Sequence, residues 1–172
     1  MYLPPFFMIE PELAERETRS IMILERQNGI PPGNYGLLEF YCPDPACDCR
    51  RVMLNVAEER HPTRFLAAIS YGFDRDDSEA GPFLDPLNEQ SRYAQALLKL
   101  VSEAVLSDRR YLARLERHYH IVKEAAANRK HPAYQELQEA IGSEPEALLE
   151  TLRAIDSGDN LRSLSAPPVG RN

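Results

Sequence analysis

The hydrophobic period of this chain changes once, near residue 90. In the first half apolar residues alternate with polar ones, as Val52, Leu54 and Val56 do with Arg51, Met53 and Asn55. A period of two marks a strand with one buried face. In the second half Tyr93, Leu97, Leu100, Val101, Ala104 and Val105 recur at three- and four-residue spacing. That spacing lines them along one side of a helix. A chain that makes strands first and helices second folds as α+β, with its helices packed on one face of the sheet.

Four runs predict strands, at about 19–26, 35–41, 50–58 and 64–73. In the last of these Phe65, Ala67, Ile69, Tyr71 and Phe73 form one face. The connections are too short for parallel crossovers, so the strands form an antiparallel meander. Turn formers from Asn28 to Asn34 join the first pair, and an acidic connector with glycine and prolines spans 74–90. Helices are expected at 91–107, at 109–127 behind Asp108 as N-cap, at 132–141, and at 144–155 behind the capping-box pair Ser143 and Glu146. The result is one domain over 1–156, with the sheet at about 18–74 and the helices at about 91–156. Gly158, Pro167, Pro168 and Gly170 predict a loose tail over 157–172.

With 172 residues the chain can bury a core without disulfides. No apolar run is long enough to span a membrane. The start, Met1-Tyr2-Leu3-Pro4-Pro5-Phe6-Phe7, has no basic residue ahead of its apolar stretch and makes a poor signal peptide, which points to a cytoplasmic protein. The net charge of −7 is unevenly spread: residues 91–131 hold 9 basic and 4 acidic side chains, against 8 and 16 in residues 1–90. The basic middle could meet an anionic partner such as nucleic acid, but it lacks a dense basic stripe. Phosphate-binding glycine loops, nucleophile elbows and His-Glu-x-x-His motifs do not occur.

One segment carries chemistry: Tyr41-Cys42-Pro43-Asp44-Pro45-Ala46-Cys47-Asp48-Cys49-Arg50. It lies between two expected strands, so its three cysteines share a hairpin tip. They are too few for a disulfide framework. Pro43 and Pro45 stiffen the loop and lower the entropy lost in closing it. Three thiolates in a compact loop suit Zn²⁺, which takes four ligands with sulfur at about 2.3 Å. Arg50 and Arg51 stand nearby to offset the thiolate charge.

For the fourth ligand, His61 follows the third strand and belongs at the opposite end of the sheet. On the 109–127 helix His118 falls at the edge of the apolar face, while His120 falls on the solvent side with Glu116, Arg117 and Lys123. His118 is therefore the expected fourth ligand, with His131, Asp44, Asp48 or a water as alternatives. Asp74, Asp76 and Asp77 should emerge beside the cysteine tip. The metal set is thus Cys42, Cys47, Cys49 and His118 around Zn²⁺. The leading function is a non-catalytic binding module with a structural zinc hairpin, its partner a protein. The alternatives are a metal-dependent hydrolase with an open zinc position near the acidic 74–86 loop, and a nucleic-acid-associated protein using the 91–131 helices.

Overall fold

The computed structural model describes residues 2–74, 77 and 80–142. It is α+β. Two short helices, α1 (Phe6–Ile9) and α2 (Pro11–Glu17), precede the strands β1 (Arg19–Ile23), β2 (Gly33–Tyr41), β3 (Arg51–Glu58), β4 (His61–Gly72) and β5 (Phe83–Leu84). The helices α3 (Ala94–Ala104), α4 (Arg109–Ala127) and α5 (Tyr134–Gly142) follow. The strands form one antiparallel sheet in the order β1-β2-β3-β4-β5. The expected helix at 144–155 and the tail at 157–172 lie outside the described residues.

Each local element has a physical cause. In the β1–β2 connection Asn28 and Gly29 take φ of 50° and 84°, and Gln27 and Ile30 exchange backbone hydrogen bonds around them. This is the Asn-Gly turn, which needs positive φ at both central positions. The Asp108 side chain accepts from Arg110 N at 2.9 Å and caps α4 as its residue type dictates. Pro11 and Glu12 open α2 in the same spirit, one pre-setting φ and the other meeting the helix dipole.

Register places Tyr35, Leu37, Glu39 and Tyr41 of β2 on one face, opposite Val56, Leu54 and Val52 of β3 and then Ala67, Ile69 and Tyr71 of β4. Helix α4 crosses this face at β2 and β3, while α3 packs beside β4 and β5. Leu97 and Val101 of α3 and Leu115 and Val122 of α4 share one core with the sheet. The alternation expected for the last long strand fails at one residue. A register shift between Val56 and Ala57 sets Ala57 opposite Phe65, so Phe65 turns to the outer face and meets Phe40 edge-on at 5.8 Å. A bulge inserts one residue and reverses the face of everything beyond it.

Candidate metal centre

Strand β2 ends at Tyr41 and β3 begins at Arg51, with Tyr41 paired to Val52. The nine residues between them form the hairpin tip. Tyr41 is fully buried and its hydroxyl donates to Glu39 Oε2 at 2.7 Å, so the strand end is fixed. Cys42 follows it into the interior. The loop then closes on Asp44, whose carbonyl accepts from Cys47 N at 3.1 Å and whose carboxylate accepts from Ala46 N at 2.9 Å. Arg50 returns the chain to β3 with φ of 38°. The Sγ atoms of Cys42, Cys47 and Cys49 all lie within 4.8 Å of one another.

A fourth residue completes the environment. Lys123 of α4 sends its ammonium under the loop, where it donates to the carbonyl oxygens of Asp44 and Cys47, the latter at 2.8 Å, and lies 3.7 Å from Cys42 Sγ. The same ammonium lies 5.1 Å from the ring centroid of Tyr119. Helical geometry assigned Lys123 to the solvent side. The flexible four-carbon stem carries the charge back to the hairpin, as amphipathic side chains do. The arginines expected to offset the thiolates go elsewhere: Arg50 pairs with Glu116 at 2.9 Å, and Arg51 donates to Ser70 Oγ at 3.0 Å.

This setting separates the thiols electrostatically. Cys42 is pulled down to about 5, first by the thiol hydrogen bond from Cys49, then by the Asp44 backbone N–H, the Lys123 charge and the Cys47 thiol, against the opposing effect of burial. Cys49 is pushed up, first by donating that hydrogen bond and then by burial and the neighbouring negative charge. Cys42 is thus the sulfur most disposed to carry the negative charge, with the Sγ atoms of Cys47 and Cys49 within 4.8 Å of it. A bound cation would take the place of the bridging protons.

His118 is not brought to the sulfurs. Its ring is 1% exposed, stacks on Phe6 at 4.1 Å, and ends on a carboxylate at each nitrogen: Nδ1 lies 2.6 Å from Glu39 Oε2 and Nε2 lies 2.9 Å from Glu17 Oε2. The helical wheel placed it rightly on the core edge, but two buried acceptors claim it first. An ionised carboxylate only accepts, and a neutral imidazole has one N–H. Arg117 Nη2 also lies 3.4 Å from His118 Nε2, so Glu17, Arg117 and Glu39 together surround the ring nitrogens. Glu17 and Glu39 were not singled out in the sequence. The only signal was a glutamate at a core position of β2.

The other candidates are also placed. His131 Nδ1 accepts from Ala133 N at 3.2 Å while Nε2 meets Glu10 at 3.1 Å, so it serves the start of α5. His61 pairs with Glu58 at the far end of β3. Among the described residues the converging ligand atoms are those of the three cysteines, without Asp44 or Asp48. Phe73 N donates to Arg50 O at 2.9 Å, so Asp74 does leave the sheet at the cysteine edge. With Asp77, Ser107 and Arg109 it lines a cavity of about 380 Å³ that includes none of the cysteines. Asp76 lies outside the described residues. No family model, curated protein or solved structure matches the chain.

Proposed function

We propose that the chain is a zinc-binding protein in which Cys42, Cys47 and Cys49 hold a structural Zn²⁺ that locks the β2–β3 hairpin of a non-catalytic interaction module. The observation that carries this reading is the convergence of three sulfurs within 4.8 Å of one another in one short loop. Charge supports a divalent ion. Three thiolates and the Lys123 ammonium sum to −2, which a dication with a neutral fourth ligand balances. Thiolate sulfur with a lysine hydrogen bond favours Zn²⁺ over the hard cations, which take oxygen. The fourth position falls to a group other than His118. Reduced thiols kept for metal suit a reducing, cytoplasmic setting.

The module reading is preferred to the nucleic-acid one because three of the nine basic residues of the middle block are already engaged within the fold. Arg117 pairs with Glu17, the Arg114 guanidinium lies 4.8 Å from the Tyr111 ring centroid, and Lys123 serves the hairpin. It is preferred to the hydrolase because the 380 Å³ cavity and the sulfurs have separate linings. The test is the metal content of purified protein beside Cys47→Ser, with Co²⁺ substitution to report a tetrahedral thiolate site. About one zinc per wild-type chain, lost in the variant, is expected, and chelation should lower Tm. A metal-free preparation that keeps full Tm and gives no Co²⁺–thiolate absorption would sink the reading.

A further inference from the structure

The two edges of the sheet are built differently. Strand β5 is two residues long and stands between Pro82 and Pro86. Short strands and prolines keep foreign strands away from an edge. Strand β1 has neither defence. It reads Arg-Ser-Ile-Met-Ile, runs in unbroken register along β2 and carries no charge after Arg19. Met22 is 70% exposed, and Leu24 just past the strand is 79% exposed.

The direction of each β1 backbone group follows from β2. Asn34 O accepts from Glu59 N on the β3 side of β2, and Tyr41 N donates to Pro4 O on the other side. The N–H and C=O of one strand residue point the same way, and the next residue's point oppositely. Even-numbered residues of β2 therefore bond β3, and odd-numbered ones bond β1. Tyr35 and Leu37 bond their register partners Ile21 and Arg19. Ser20 and Met22 consequently aim both backbone groups away from the sheet, and neither makes a backbone hydrogen bond to a loop or helix among the described residues.

We propose that β1 is the interface of a homodimer, in which two copies pair antiparallel about a two-fold axis at Met22 and join two five-stranded sheets into one. Outward groups must meet outward groups, so even residues face even residues. Charge then selects the register. Centred on Met22, the pairing sets Ser20 against Leu24 of the other copy, and Arg19 against Glu25 of the other copy at both ends. Centred on Ile21, it would set Arg19 against Ile23 and bring Glu17 toward Glu25. The chosen register also gathers both Met22 and both Leu24 side chains on the outer face. An antiparallel pair of identical strands about a two-fold axis closes on itself, so the assembly stops at two.

The interface is independent of the metal reading and is tested on the full chain by sedimentation and amide hydrogen exchange. Wild-type protein is expected to sediment as a dimer, with the Ser20 and Met22 amides protected. Met22→Lys sets two ammonium groups at the axis and is expected to give a monomer with unchanged circular dichroism and with those amides exchanging freely. Glu25→Lys, at an exposed loop position, weakens the dimer by placing like charges opposite each other. A wild-type chain that is monomeric up to millimolar concentration overturns the proposal. So does a dimer that survives both substitutions, which would place the interface elsewhere or mark a different partner for this edge.

Discussion

Lys123 Nζ lies 3.7 Å from Cys42 Sγ, across 81 residues of sequence, and joins an ammonium of α4 to the most buried of the three cysteines. The contact links the two halves of the fold, because Cys42 closes the sheet segment and Lys123 rides on α4. It also gives the loop a cation before any metal arrives.

Replacing that lysine should therefore weaken metal binding without removing a ligand. Lys123→Met keeps the stem and deletes the charge and three donated contacts. Loss of such an outer partner lowers metal affinity by about 10–100-fold. Chelator competition measures it, and an affinity equal to wild type would mean that the ammonium serves the loop carbonyls alone.

His118 should behave in the opposite way. His118→Ala leaves Glu39, 4% exposed, facing an empty space with the Tyr41 hydroxyl as its remaining donor. Breaking a buried pair by removing one partner costs about 3–5 kcal/mol. Denaturant unfolding of the metal-free protein is expected to show a loss of that order. Zinc stoichiometry should stay at the wild-type value. A variant that keeps its stability but loses its metal would restore His118 as a ligand.

Alkaline pH should expose the buried phenols. Burial, then the charge and hydrogen bond of Glu39, push Tyr41 well above its ordinary value of 10, and burial raises Tyr111 in the same way. The unfolded chain ionises both near pH 10 while the folded chain keeps both protons. Their contribution to stability is complete below pH 10 and is lost as pH rises beyond it. Phenolate absorbance should therefore reach its full value for eight tyrosines only when circular dichroism reports unfolding. Complete ionisation with native dichroism would contradict the buried environment.

The cap of α4 offers a local check. Asp108→Ala removes the acceptor for Arg110 N and the contact with Arg19 at 3.5 Å. A lost N-cap costs about 0.5–2 kcal/mol. Thermal unfolding measures it, and Asp108→Asn, which keeps an acceptor, should lose less.

Much of this was legible beforehand. Alternation at Val52, Leu54 and Val56 identified β3, the Asn28-Gly29 turn separated β1 from β2, and Asp108 announced α4. The cysteine hairpin followed from three cysteines between two strands. The first two helices were missed, although Pro11 with Glu12 is a helix opening that a search from residue 1 would have found. Strand β5 was hidden in the connector because two residues carry no period. Phe65 was assigned to the wrong face because a bulge depends on partner register, which alternation along one strand cannot encode.

The sequence by itself determined the class of fold, the order of β1 to β4 and of α3 to α5, and the loop that gathers the three sulfurs. These depend on residues close along the chain, whose periods and turn preferences act locally. Only the tertiary structure decided what meets that loop. Glu39 and Glu17 arrive from separate elements and claim both nitrogens of His118, while Lys123 reaches across to the cysteines that His118 was expected to join. Such choices are settled by which buried polar groups must be satisfied once the sheet and α4 come together, and that competition exists only in three dimensions.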